Sequence, residues 1–230
     1  MNRFNWDLRY DEVARVPGYP LWGGGTNGPL VMPGTYQVRL TVNGKSSTAP
    51  LEVRNDPRST ASVADLQKQF DLVSKIQAKV GDTHSVVNQI RDARRQIDDL
   101  TRRLNATKDP HAKTVADAGK QLEAKMKPIE ESLIQVKNKS SQDLLSNGMK
   151  LNNQLAALAG EIETSNGAPT AASYEVFKML SGQLDAQMSA WRNLIDNDLK
   201  SFNQLVRQQD VPAIVIDTKT KPAAEAGGND

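Results

Sequence analysis

Cysteine is absent from the 230 residues of this chain, so thiol catalysis, disulfide bonds and thiolate metal sites are all excluded. Aromatic residues make up only 5% of the sequence and the mean hydropathy is -0.55, values that suit elongated helices with narrow apolar seams. No run of 18 or more apolar residues occurs, so we predict no membrane span. The balance of 29 Lys and Arg against 27 Asp and Glu gives no electrostatic basis for a nucleic-acid partner.

One arginine-rich segment, residues 91–104, does not change that conclusion. Asp98 and Asp99 lie four residues from arginines on either side, the spacing of ion pairs on a helix surface: Arg94, Arg95, Arg102 and Arg103. We therefore predict a solvated ladder of salt bridges rather than a nucleic-acid patch.

Candidate catalytic and metal-binding residues are few. The two histidines, His84 and His111, lack a histidine or carboxylate four residues on, so we predict that they are surface helix residues and hold no metal. The adjacent carboxylates at 98–99 and 130–131 diverge by about 100° around a helix and cannot converge on one substrate bond. No nucleophile elbow and no phosphate-binding glycine loop occurs. The sequence thus predicts no enzyme, with no catalytic residue, cofactor or metal.

The clearest structural signal is a hairpin within residues 33–58. Asn43-Gly44 suits the two positive φ angles of a type I′ turn, which pairs residue 42 with 45, 40 with 47, 38 with 49 and 36 with 51. The alternation then places these residues on one face of a half-buried antiparallel sheet: Tyr36, Val38, Leu40, Val42, Ala49, Leu51 and Val53. Pro50 makes the second strand an edge strand.

The chain before the hairpin predicts a strand over residues 2–8 and no signal peptide, since no apolar stretch follows Met1. Residues 11–33 are so rich in Gly and Pro that we predict a long irregular loop, a lid on the open end of the sheet in preference to a ligand loop. Three strands cannot bury two sheet faces. Either the loop and helix bases cover the apolar face, or partner strands precede Met1, which would then be an artificial start.

Helical periodicity dominates the rest of the chain. Ser62 caps a first helix over about 62–104, with a seam near period 3.5, that Gly81 could kink. A second helix follows Asp109-Pro110, a third covers 151–162, and Thr170 caps a fourth to about 208. The fourth seam is Tyr174, Phe177, Leu180, Leu184, Met188, Trp191, Ile195, Leu199, Phe202 and Leu205.

The predicted fold class is α+β and mostly α: a small Ig-like antiparallel β portion, then an elongated antiparallel helical bundle. The predicted domains are 1–57 for the small, possibly truncated β module and 58–209 for the bundle. Residues 210–217 form a short strand returning to the sheet or an extended segment, and residues 218–230 are predicted to be a disordered tail.

Several segments together resemble the C-terminal region of bacterial sortilin-like, BNR-repeat "glycosyl hydrolase" proteins. They are NRFNWDLRY, GPLVMPGTYQVRLTVNGK, PLEVRNDPR, LNNQLAALAG and APTAASYEVFKMLSGQLD, and the resemblance covers most of residues 2–216. It implies an Ig-like module with helices beside a β-propeller, and a secreted or cell-envelope location. No Asp-box blade occurs in this chain, so no hydrolase activity is implied for it.

These observations predict a non-catalytic accessory or structural module. It would mediate contacts with another protein or with itself, as a homodimer through an exposed sheet edge or helices. Candidate contact residues are the loop aromatics Tyr19 and Trp22, with Trp6 as a sheet anchor. Two alternatives stay open: an auxiliary part of a glycan-processing enzyme, and a carbohydrate-binding module that stacks sugars on Trp22 and Tyr19.

Overall fold

The computed structural model describes residues 3–209, which are mostly helical with one small antiparallel sheet of two strands. The mostly α prediction of the α+β class is thereby confirmed. The elements are β1 (Gly34–Val42), β2 (Lys45–Val53), α1 (Val63–Ala106), α2 (Ala112–Leu133), α3 (Leu144–Asn147), α4 (Leu151–Ile162), α5 (Ala171–Asn193) and α6 (Lys200–Arg207). A 3-10 turn, Ser141–Asp143, precedes α3, and a π-helical segment, Leu194–Leu199, joins α5 to α6.

The hairpin turn has the predicted geometry and sets the predicted register. Asn43 and Gly44 have φ angles of 49° and 78°, as a type I′ turn requires. The strand pairs that follow are Val42 with Lys45, Leu40 with Ser47, Val38 with Ala49 and Tyr36 with Leu51.

Before the hairpin, the predicted strand over residues 2–8 is wrong within the described residues. Leu8 takes a left-handed φ of 59°, and only Arg9 forms an isolated antiparallel bridge, with Leu30. Phe4 is 88% exposed, so its alternation with Trp6 marks no buried sheet face. The Trp6 ring instead packs edge-on against Tyr36, with 5.9 Å between ring centroids.

The apolar face of the hairpin is exposed toward the turn, and the expected partial burial is found only near the foot, at Tyr36, Leu51 and Val53. Val38, Leu40 and Val42 are 50%, 65% and 56% exposed. The predicted lid is also wrong, because the Gly- and Pro-rich loop packs on the helices. It shields the hairpin only near its foot, where the Tyr36 hydroxyl donates to the Met32 carbonyl at 2.7 Å.

Helix α1 agrees with its sequence signals. The Ser62 hydroxyl oxygen accepts from the Asp65 amide at 3.2 Å, which caps the first turn. The helix continues through Gly81 without a break. The absence of a side chain at Gly81 instead serves packing. A Cβ at Gly81 would lie 3.1 Å from the Val13 Cβ, and the missing side chain therefore lets the N-terminal segment approach α1.

Of the later helices, α5 has a side-chain cap at its start, whereas α2 and α4 have none. Asp109 accepts from the His111 amide at 2.8 Å, and α2 begins at Ala112, slightly after the predicted start at Pro110. The α4 bounds match the third predicted helix, and the Thr170 hydroxyl caps α5 by accepting from the Ser173 amide.

The helices bury their apolar stripes against one another in one continuous core. Helix α1 contacts α2, α4 and α5, and α2 also contacts α6. The π-helical segment shifts the phase of the last seam, so Leu194 and Val206 are buried while Leu205 is only partly buried. The fully buried side chains with the largest volumes are Trp191, Ile76, Ile90, Leu100, Met126, Leu133, Ile134, Leu155 and Leu184.

Two predictions, the short strand or extended segment at 210–217 and the disordered tail at 218–230, lie outside the described residues.

Candidate functional site

The N-terminal segment, residues 9–31, forms a strap that folds back on itself. The Val13 amide donates to the Thr26 carbonyl at 2.9 Å, and the Tyr10 amide donates to the Pro29 carbonyl at 3.1 Å. At the base, the Arg9 guanidinium donates to both oxygens of Glu163, at the end of α4, at 2.9 and 3.0 Å. Since both side chains are mostly buried, this ion pair fixes the strap to α4.

The middle of the strap fits closely against α4. The side-chain amide of Asn153 holds the backbone of Trp22 twice, accepting from its amide at 3.0 Å and donating to its carbonyl at 2.6 Å. A Cβ at Gly24 would lie 1.9 Å from the Ala156 carbonyl oxygen, and one at Gly160 would lie 2.4 Å from the Gly23 carbonyl oxygen. Glycine is therefore required on both sides of the contact.

The three predicted contact residues have different environments. The Tyr19 hydroxyl accepts from the Gln135 amide at 3.0 Å, its ring packs against the core, and burial raises its pKa. Trp6 is half-buried and donates from Nε1 to the Arg9 carbonyl at 3.0 Å. Trp22 is 49% exposed, so it alone of the three presents much of its ring to solvent. Tyr19 thus acts chiefly in packing.

His84 is buried, and its prediction as a surface residue is wrong. It is 1% exposed, and Nδ1 lies 2.7 Å from the Ala14 carbonyl in the strap. Because a carbonyl only accepts, Nδ1 carries the proton and Nε2 accepts from the Asn152 amide nitrogen at 3.3 Å. Burial lowers the pKa of His84. Neither partner is a carboxylate, so this histidine is not oriented as a triad base.

Polar side chains near His84 and Tyr19 form a small buried group where the strap, α1, α4 and the segment after α2 meet. Asn152 is fully buried, and among residues 3–209 its Oδ1 has no hydrogen-bond partner, nor has Nδ2 of Asn138. Asn138 accepts from Asn147 at 2.9 Å through its other amide atom. Across the described chain, no group of three or more histidines and acids could hold a metal ion.

The arginine-rich segment is only partly the predicted ladder. Arg102 pairs with Asp99 and Arg95 pairs with Asp92 on the surface of α1. Two other arginines, Arg91 and Arg94, leave that surface and bind the buried carboxylate of Glu130 on α2. Glu130 is therefore a structural acid held between two helices.

A small apolar pocket of about 190 Å³ lies where the hairpin foot, the strap and the start of α1 meet. Its walls include Leu30, Val53, Leu66 and Phe70. Among the described residues of its wall, Glu163 is the one acid, and it already binds Arg9 through both oxygens. The pocket thus offers shape and apolar surface, without a free acid for chemistry.

The hairpin presents an open hydrogen-bonding edge. In the observed register, Thr35, Gln37, Arg39 and Thr41 direct their backbone groups away from β2. Within the described part of the chain, no backbone group accepts from or donates to these four. On the outer edge of β2, Pro50 occupies an outward position and has no N–H to donate. The β1 edge is thus the more complete template for another strand.

Comparisons with protein-family models, with curated proteins and with solved structures find no match to this chain. Among residues 3–209, no helix combines the length and the apolar character needed to cross a membrane.

Proposed function

We propose that this chain is a non-catalytic accessory or structural module that contacts protein partners, including copies of itself, through the β1–β2 hairpin. The helices would form an elongated antiparallel bundle that presents the hairpin as part of an Ig-like surface. The resemblance in the sequence adds the proposal of a role beside a secreted propeller. The observation that carries the proposal is an apolar hairpin face exposed to solvent beside an open β1 edge.

The exposure of that face favours a binding role over a purely structural one. An isolated two-stranded hairpin is marginally stable in water and gains from covering its apolar face. Val38, Leu40 and Val42 are each at least half exposed and lie on the same face as Tyr36. A partner that covers them removes apolar surface from water at about 25 cal/mol per Å². Such a partner also pairs with unsatisfied backbone groups of the edge.

The direct test is sedimentation equilibrium of the full chain and of two lysine variants. Leu40→Lys places a charge on the apolar face, while Gln37→Lys places the same charge on the opposite face of the same strand. We expect concentration-dependent association of the natural chain, at least tenfold weaker for Leu40→Lys and little changed for Gln37→Lys. Equal association of all three proteins would contradict the proposed surface, and a strictly monomeric natural chain would contradict self-association.

A carbohydrate-binding role is the second candidate, and Trp22 is the observation that favours it. Asn153 fixes the backbone of Trp22 while the indole stays half exposed, as a stacking platform requires. Titration with oligosaccharides, followed by tryptophan fluorescence, should show a saturable change that Trp22→Ala removes and Tyr19→Phe retains.

A glycan-hydrolysis screen tests the alternative role as an auxiliary part of a glycan-processing enzyme. Turnover that is lost on mutating one of the chain's own carboxylates would contradict the non-catalytic proposal.

A further inference from the structure

We infer that residues 211–216 of one copy, the run VPAIVI, add as a third strand to the β1 edge of a second copy. This inference rests on the proposed function, because it names the occupant of the hairpin surface. Residues 210–230 lie outside the described part of the chain, and they follow two residues after the end of α6 at Arg207.

The hairpin favours β1 as the acceptor. A strand added there meets the outward N–H and C=O groups of Thr35, Gln37, Arg39 and Thr41. On the β2 side, Pro50 removes one of the donors that an added strand would need.

The proline in the run decides which of its residues face β1. Pro212 cannot donate, so it must point away from β1, and Val211, Ala213 and Val215 then make the hydrogen bonds. We propose that the run pairs antiparallel with β1, in which case the hydrogen-bonding residues of the two strands lie directly opposite each other and share a face. Val211, Ala213 and Val215 therefore join the polar face, and Ile214 and Ile216 join the apolar face. The backbone requirement of Pro212 thus places both isoleucines beside the exposed residues of the hairpin: Tyr36, Val38 and Leu40.

Charge is complementary between the two segments. Residues 34–54 carry three cations, Arg39, Lys45 and Arg54, against the single anion Glu52. Residues 210–217 carry only Asp210 and Asp217, one at each end of the apolar run. Opposite net charges favour encounter of the two segments and lower the chance that one tail run pairs with another.

The run cannot reach the hairpin of its own chain. A Cβ at Gly119 of α2 would lie 2.6 Å from Ile97 of α1 and 3.8 Å from Phe202 of α6, which places α6 beside the C-terminal part of α1. The hairpin foot lies at the opposite end, where Val53 and Leu66 line one pocket.

The two ends are too far apart for the intervening residues. From Leu66 to Ile97, α1 rises by about 46 Å. The five residues from Gln209 to Ile214 span at most about 18 Å when fully extended. The hairpin that accepts this run therefore belongs to another copy, and the contact is head to tail. Contacts of this type build rings or filaments, and two antiparallel copies that exchange their runs reciprocally form the smallest ring.

The test uses the full chain and two proline variants that break opposite sides of the same contact. Ala213→Pro removes an inward N–H from the run, and Ala213→Ser is its matched control with the N–H retained. Gln37→Pro removes an outward N–H from β1, where no bond to β2 is lost. Far-ultraviolet circular dichroism and thermal melts check that each variant is folded, and sedimentation velocity reports assembly size.

We expect dimers or larger closed or open assemblies for the natural chain and for Ala213→Ser, and monomers for both proline variants. A one-to-one mixture of Ala213→Pro and Gln37→Pro should form heterodimers that grow no further, because one hairpin and one tail run remain intact. A synthetic peptide of residues 209–218 should dissociate the natural oligomers, which tests the contact without relying on the folding of Gln37→Pro.

Three results would overturn the inference: assembly of Ala213→Pro at natural strength, failure of the mixture to form heterodimers, or a natural chain that stays monomeric. In the first two cases, a loss of association in Leu40→Lys keeps the hairpin as the contact surface. The proposed function therefore fails separately, when Leu40→Lys associates as strongly as the natural chain.

Discussion

His84 is buried, and its protonation therefore destabilises the folded chain. Its pKa in the folded chain is lowered by burial below the ordinary value near 6.5. The unfolded chain therefore binds the proton first as the pH falls. The free energy of unfolding is therefore unaffected by His84 well above pH 6.5. It declines as the pH falls below 6.5, and this decline ends once the pH is below the lowered pKa of the folded chain.

Urea unfolding at about pH 7.5 and about pH 5.5 should reveal this decline. We expect the free energy of unfolding of the natural chain to fall by up to about 1.4 kcal/mol more than that of His84→Gln over this interval. His84→Gln is the suitable comparison because it retains a polar side chain and every other titrating group. The same pH dependence in both proteins would show that His84 does not resist protonation.

Glu130 gives a second prediction at the scale of single residues. Glu130 is 4% exposed between Arg91 and Arg94, whereas the side chain of the adjacent Glu131 is 44% exposed and lies 3.9 Å from Lys127. Removing one partner of a buried ion pair leaves charges poorly compensated. Glu130→Ala should lower the free energy of unfolding by about 2 to 3 kcal/mol, since the arginines stay partly solvated.

Glu131→Ala should change the same quantity by no more than about 0.5 kcal/mol. Chemical denaturation of both variants measures the difference, and similar losses would refute a specific role for Glu130.

The sequence held a signal for both buried polar residues. His84 lies four residues after Val80 and three before Val87, and Glu130 stands in the same relation to Met126 and Leu133. Each therefore falls within an apolar seam. Histidine and glutamate are polar, and residue type therefore favours an exposed position for both. Their burial depends on partners that are distant in sequence, such as the Ala14 carbonyl for His84.

Elements with local signals were predictable, and those fixed by distant contacts were not. Asn43-Gly44 determines the hairpin register through its own φ angles. Ser62 and Thr170 mark helix starts because each hydroxyl accepts a hydrogen bond from the backbone amide three residues later. The strap shows the opposite case. Its glycines and prolines predict a loop, but they do not predict that the loop packs on α4. That contact depends on the close backbone approach of the strap to α4 at Ala156 and Gly160.

Gly160 tests that contact. A methyl group there would lie 2.4 Å from the backbone oxygen of Gly23, while one at Gly182 of α5 would meet nothing within 4 Å. Gly160→Ala should destabilise the chain by about 1 to 3 kcal/mol, because the steric cost exceeds the gain in helix propensity. Gly182→Ala should stabilise it by about 0.5 to 1 kcal/mol.

Thermal and chemical unfolding of the two variants should therefore shift in opposite directions. A stabilised Gly160→Ala would mean that the strap does not press on α4.

Within residues 3–209, the helices bury their apolar faces against one another, while the apolar side chains near the hairpin turn stay exposed. Alternation in the sequence shows which residues of a strand share a face, and it correctly grouped Val38, Leu40 and Val42. It does not show what covers that face, since neither the strap nor the helices do so here. Of the predicted contact residues, Tyr19 packs against the core and accepts from the Gln135 amide, while Trp22 stays 49% exposed, a difference that composition does not reveal.

Amide hydrogen exchange along β1, measured by nuclear magnetic resonance at low and high protein concentration, tests the central claim most directly. The outward amides of Thr35, Gln37, Arg39 and Thr41 should exchange fast in dilute solution and become protected as concentration rises. Leu40 and Val38, whose amides face β2, serve as internal references for the stability of the hairpin itself. Outward amides that exchange equally fast at every concentration, beside protected inward ones, would contradict a strand-accepting edge.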